Sequence, residues 1–160
     1  MNIRDATEAD WPEIWSFFQP IMAAGETYTV DRDISEPEAR AGWLPPHARV
    51  FVAVEAGRVV GTAKLVRNFG GPAAHVANAS FVVDPAAAGR GIGRALGEHV
   101  LAAARAAGYR AMQFNAVVET NTGAVALWRS LGFDILTTVP EAFDHPGQGL
   151  VGLHVMYRAL

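Results

Sequence analysis

Apolar positions along this chain change their period several times, and each change marks an element. Ile14, Trp15, Phe18, Ile21 and Met22 recur at three- and four-residue spacing, which predicts an amphipathic helix stopped by Gly25. Thr7 with Asp10, and Ser35 with Glu38, have the spacing of helix-opening caps. A first helix therefore follows a short strand at Asn2 to Asp5, and a second ends before Pro45-Pro46. Further on the period shortens to that of strands. Val50 to Glu55 and Arg58 to Arg67 flank the turn Ala56-Gly57 as a hairpin, and His75 to Val83 returns after a turn at Asn68 to Ala74. Ile92, Leu96, Val100 and Ala103 then share one face of a helix from about Gly91 to Ala107. Arg110 to Ala116 is the next strand, followed by a helix from Asn121 to Leu131 that Gly132 stops. Phe133 to Val139 and Leu150 to Tyr157 close the chain as strands, separated by a long loop from Pro140 to Gly149.

This order predicts an α/β (α+β) fold in one domain covering residues 1–160: a mixed, mostly antiparallel seven-stranded sheet, about four helices, and one central parallel β-α-β crossover. Composition adds only limits. Hydrophobic residues make up 51% and charged residues 18%, which excludes a disordered or fibrous chain. Net charge is −3 with a pI near 5.9, so no basic field draws nucleic acid. Without cysteine there is no disulfide, thiolate metal site or cysteine nucleophile, and no metal site is expected. The opening MNIRDATEADWPEIW has no apolar run of the secretory kind, and no stretch is long enough to span a membrane, so a cytoplasmic location is the default expectation.

The candidate chemistry lies between Ser80 and Leu96. A short apolar strand, Phe81 to Val83, breaks at Asp84-Pro85 and leads through Gly89-Arg90-Gly91-Ile92-Gly93-Arg94 into a helix. Glycines leave no side chain over the backbone, and the first helical turn has N–H groups without partners, which together suit a pyrophosphate. A dinucleotide fingerprint fits poorly, because three strands precede the glycines and Asn115 or Ala116 stands where an acidic residue would end the next strand.

The segment F-V-V-D-P followed by G-R-G-I-G-R-A-L, with N-T-G-A-V-A-L-W-R-S-L-G-F from Asn121 to Phe133, resembles the GNAT superfamily of acetyl-coenzyme A-dependent N-acetyltransferases. The resemblance extends over nearly the whole chain, since the expected element order also matches. It implies that backbone groups of Phe81, Val82 and Val83 pair with the pantetheine arm and that amides of Gly89, Arg90, Gly91, Ile92, Gly93 and Arg94 hold the pyrophosphate. Asn121 matches the family asparagine that touches the cofactor, and Trp128 lies on the same helical face nearly two turns on. Arg90 and Arg94 are placed to add charge-assisted phosphate contacts.

Three positions depart from the family pattern. Trp128 stands where many members have a tyrosine acid, Ala116 where several have a glutamate base, and Ala88 where Gln or Arg precedes the glycines. Neither proton role transfers to tryptophan or alanine. Asn78, on the face of its strand shared with Ser80 and Val82, is the first candidate for a polarising or positioning group near the acetyl, or else makes an internal hydrogen bond across the sheet. Glu26, Tyr28, His75 and Asn115 are further candidates for the substrate side, with Asp144 and His145 in the long loop behind them. The expected reaction is direct acetyl transfer from acetyl-CoA to a small-molecule amine, and H-V-A-N-A-S-F with L-W-R-S-L-G-F is somewhat similar to acetyltransferases of proline-analogue imino acids. A non-catalytic acyl-CoA-binding module is the alternative, and a homodimer is left open.

Overall fold

Strands that are apolar on both faces need cover on both faces, and this sheet has it. The computed structural model describes residues 1–160. Its elements are β1 (Asn2–Asp5), α1 (Trp11–Ala24), α2 (Glu36–Trp43), β2 (Arg49–Glu55), β3 (Arg58–Arg67), β4 (Val76–Val83), α3 (Ile92–Ala106), β5 (Ala111–Val118), α4 (Thr122–Ser130), β6 (Asp134–His145) and β7 (Gly149–Ala159). On β2, Phe51 and Ala53 join the core under α3 and α4, while Val50 and Val52 join the core under α1 and α2. No helix is long and apolar enough to cross a membrane.

The seven strands form one sheet in the order β1-β2-β3-β4-β5-β7-β6, with every neighbouring pair antiparallel except β4 and β5. The turn between β2 and β3 has Ala56 at φ 47° and Gly57 at φ 76°, the left-handed pair that matches hairpin twist. The parallel pairing is short: Val76 meets Ala111 and Ala77 meets Met112, and there it ends. Beyond that point β4 stays paired to β3 as far as Val83, and β5 stays with β7. A bulge in β5 between Phe114 and Val117 bends it away from β4. The sheet is thus split at its centre.

The last two strands correct the expected loop. Pro140 to His145 continues β6, and the hairpin turns only between His145 and Gly149. Between Val139 and Phe143 the three residues Pro140, Glu141 and Ala142 oppose the single Gly152, an excess of two, and Glu141 takes φ 52°. Turn-forming residues here make a bulge, after which the buried Phe143 returns to the ladder. β5 also runs two residues past the expected end at Ala116, to Val118.

Asp10 ties β1 to the start of α1. Its carboxylate accepts from both terminal nitrogens of the Arg4 guanidinium at 2.7 and 2.8 Å, and from the Thr7 N–H at 2.7 Å and the Thr7 hydroxyl at 3.1 Å. The Arg4 hydrogen bonds, followed by those from Thr7, outweigh burial and hold the Asp10 carboxyl at about 2 rather than 3.8. A depressed folded-state value means stability that is complete above the unfolded pKa and is lost as the pH falls towards 2. Since Arg4 is partly exposed, about 1–2 kcal/mol is expected. Asp10→Asn should therefore lower stability by that amount at pH 7 in urea unfolding, and the deficit should shrink below pH 4; a deficit unchanged at pH 2.5 would contradict the ion-pair account.

Candidate active site

Where β4 and β5 part, they enclose a cavity of about 500 Å³ whose walls run from Asn78 to Val83 on one side and from Phe114 to Val118 on the other. Strand alternation decides which backbone groups face it. His75 C=O is bonded to Arg110 N on the β5 side, while Val76 C=O is bonded to Asn68 N on the β3 side. Odd-numbered residues of β4 therefore aim N–H and C=O at the gap: Ala79, Phe81 and Val83. Val82 is a correction to the expected set. Its backbone is directed at Thr62 of β3, and its side chain is buried with the α1 and α2 core.

At the end of β4 the chain turns through the glycine loop into α3. Gly89 and Gly91 have φ of 77° and 76°, with nothing within 4 Å of where a Cβ would stand. The N–H groups of Gly89, Arg90 and Gly91 donate to no protein acceptor. Those of Ile92, Gly93 and Arg94 lack helical acceptors because the residues four before them precede the helix. The result is a run of bare donors at a helix N-terminus, the requirement of a phosphate group. The side chains of the two arginines have protein partners. Arg90 pairs with Glu55 at 3.0 Å, and Arg94 donates to Ser130 at 2.7 Å beside Glu98, so both are engaged on the surface. Only the backbone of Ile92 is available, since its side chain is packed in the core.

Close approach of α4 to α3 forms the far wall. A Cβ on Gly93 would lie 3.3 Å from Leu127, and one on Gly97 would lie 2.7 Å from Leu131 and 3.2 Å from Trp128. These two glycines, one turn apart, let Trp128 settle among Phe81 at 4.6 Å and Phe114 at 5.0 Å between ring centroids. Trp128 is buried, yet its indole N–H has no protein partner and is not sealed from the cavity it lines. Asn121 caps α4 by accepting from Ala124 N at 3.4 Å, and it lines the same cavity, so capping and cavity wall coexist in one residue.

The near wall is polar without being charged. Asn78, Ser80 and Asn115 come from the sheet, and Thr27, Tyr28 and Thr29 come from the segment between α1 and α2. The Tyr28 hydroxyl donates to the Phe81 carbonyl, and burial pushes its pKa up, so it stays a phenol. Asn78 donates to Asn68 at 3.1 Å, which is the cross-sheet hydrogen bond anticipated as the alternative to a site role, and it also faces the cavity. No cluster of His, Cys, Asp and Glu side chains is arranged to share a metal ion.

Two expected substrate-side residues lie elsewhere. Glu26 is exposed and does not line the cavity that its neighbours Thr27 and Tyr28 line. His75 precedes β4 where the strands are still joined, beside Arg110 and Tyr157 in a separate shallow depression. Asp144 and His145 stand at the tip of the β6–β7 hairpin, where the His145 ring accepts from the Gly147 and Gln148 N–H groups. Thr27 and Thr29 come to the cavity with Tyr28 from the irregular polar stretch Gly25 to Asp31, and Phe114 joins them from β5. Alternation about Tyr28 was the available signal for the threonines, whereas Phe114 reads as plain core.

The α3–α4 contact is testable through two glycines. Alanine is the better helix former by about 1 kcal/mol, but overpacking costs about 1–3 kcal/mol. Gly97→Ala should thus lower the urea midpoint, whereas Gly123→Ala, with nothing within 4 Å, should not. Equal effects would mean that α3 and α4 are not packed through Gly97.

Comparison with known proteins bears on this geometry. The chain is 55% identical to a GCN5-related N-acetyltransferase from Kribbella flavida, with a TM-score of 0.96 over 99% of this chain and 97% of that one. It is 26% identical to yncA from Salmonella typhimurium, whose structure contains its cofactor acetyl-CoA, with a TM-score of 0.84 over 100% of this chain and 94% of the other. It is also 27% identical over 134 residues to N-acetyltransferase aca1 of Schizosaccharomyces pombe, a match covering 74% of this chain and 64% of that relative's length. Residues 8–133 match the acetyltransferase (GNAT) family, a span that takes in the split sheet, the glycine loop and α4 together, and the chain belongs to that family.

Proposed function

We propose that this protein transfers the acetyl group of acetyl-CoA directly to the amine of a small molecule, an amino acid, an imino acid or a similar compound. The observation that carries this reading is the split between β4 and β5. It leaves strand N–H groups free at Ala79, Phe81 and Val83, with the Phe81 carbonyl held by Tyr28, bare amides at Gly89–Arg94, and the uncharged polar near wall. An extended chain bearing amides fits a strand edge, and a pyrophosphate fits the loop, so the residues present suit acetyl-CoA. When bound, acetyl-CoA supplies an acetyl group activated as a thioester.

The protein's own groups then have three tasks. Ala79, Phe81 and Val83 N–H groups face the gap and provide donors for a developing negative charge on a carbonyl oxygen. The Trp128 indole N–H supplies a neutral donor on the α4 side, where it can hydrogen-bond a sulfur but cannot protonate it. Asn78 Oδ1, which accepts from no protein donor, is available to an amine N–H. Positioning of this kind contributes several kcal/mol without a dedicated base. A second reading, a non-catalytic acyl-CoA-binding module, is favoured only by the lack of a carboxylate at Ala116 and a tyrosine at Trp128.

Release of free thiol from acetyl-CoA across a panel of amines separates the two readings; tight binding without release from any amine would favour the binding module. The cavity has a single ionisable side chain, and Tyr28 stays protonated. The pH dependence of kcat/KM for the amine should accordingly rise with unit slope up to the amine's own pKa, because only the neutral amine attacks. A break near pH 6 common to every amine would reveal an enzyme base instead. Asn78→Ala should reduce kcat/KM for the amine by about tenfold or more while leaving acetyl-CoA affinity within about twofold.

A further inference from the structure

An asparagine can offer a cavity either its oxygen or its NH2, and the two ends have nearly the same shape. What selects between them for Asn78 lies outside the cavity. Asn68, the first residue after β3, accepts through Oδ1 from Asn78 Nδ2 at 3.1 Å and from Asn115 Nδ2 at 2.8 Å. Its own Nδ2 donates to Asn115 Oδ1 at 3.2 Å, and that oxygen also accepts from Gln113 Nε2 at 3.0 Å. The four amides are coupled, so that the direction of Asn68 sets that of Asn78.

We infer that Asn68 is a positioning residue for acetyl transfer: it holds the Asn78 NH2 turned away from the cavity, so that the acceptor amine meets a carbonyl oxygen. This rests on the reading of the cavity as the acceptor site. A flipped Asn78 would set its oxygen against the Asn68 oxygen and present donors to the amine N–H, a mismatch on both sides. Location supports the assignment. The last backbone pair between β4 and β5 is Ala77 with Met112, and the amide cluster begins at the next residue. Side chains from β3–β4 and β5 thus take over where the backbone ladder ends, and Asn78 Oδ1 is the cluster's free acceptor on the cavity wall. No lining residue has a charged side chain to replace it.

Asn68→Ala frees the Asn78 amide, whereas Asn68→Asp keeps an acceptor for both neighbouring NH2 groups but loses the donor to Asn115 Oδ1. With Ala, KM for the amine should rise about tenfold, with KM for acetyl-CoA within twofold and the thermal midpoint nearly unchanged; Asp, which keeps the acceptor for Asn78, should restore part of the loss. A parallel rise in both KM values, or no rescue by Asp, would overturn the assignment. The side-chain 15N–1H signals of Asn78 give a readout independent of turnover: they should shift and exchange faster in Asn68→Ala but not in Asn68→Asp. Unchanged Asn78 signals in the alanine variant would also overturn it. A wild-type protein that acetylates no amine would refute the proposed function, and the Asn78 signals would still decide the role of Asn68.

Discussion

Parallel pairing between β4 and β5 stops after Ala77 and Met112, and the functional half of the molecule follows from that interruption. Backbone N–H and C=O groups away from water need partners, and each strand keeps one partner strand while losing the other. β4 therefore presents an edge without a partner strand over Ala79, Phe81 and Val83, where only the Phe81 carbonyl is taken, by the Tyr28 hydroxyl. The strands cannot simply close on each other. The β5 bulge at Asn115-Ala116 turns its ladder towards β7, and the aromatic side chains of Phe81, Phe114 and Trp128 fill the space beneath the opening.

What bounds the opening is set by glycines in two different ways. In the loop, Gly89 and Gly91 adopt left-handed backbone that leaves amides bare and open. Along α3, Gly93 and Gly97 act through missing volume instead, admitting Leu127, Leu131 and Trp128 of the next helical segment. Gly152 plays a third part near the β5 end. Its N–H donates to the Glu119 carboxylate at 2.6 Å, and a Cβ would lie 2.6 Å from Thr138.

The chemistry of the cavity is that of neutral donors and acceptors. With Ala116 and Trp128 in the places where the family pattern has proton-transfer groups, the wall relies on amides, hydroxyls and strand N–H groups. Their directions are then the main variable, since an amide reversed end for end changes the site as much as a substitution would. The cluster of Asn68, Asn78, Asn115 and Gln113 fixes those directions where the strands separate.

Local rules made much of this legible in the amino-acid sequence. Helices capped at Ser35 and Asn121, the Ala56-Gly57 hairpin turn, the stop at Gly132 and the glycine loop all depend on neighbours within a few residues. The strand–loop–helix–strand order likewise required the single parallel crossover. Features built from contacts distant in sequence were not legible. Pro140 to Ala142 looks like loop, and only pairing of Phe143 with Val151 makes it a bulge. His75 and Glu26 have suitable chemistry, but the closed end of β4 and an outward-facing loop position remove them from the cavity. Asn68 looks like one more turn residue. Its part depends on Asn115, 47 residues away, and on the point where two strands separate. Sequence alone determined most of the elements and the glycine loop, because short-range sterics and hydrogen bonding specify them. Which polar atoms face the cavity was decided only when the sheet folded, because it depends on the register of three strands at once.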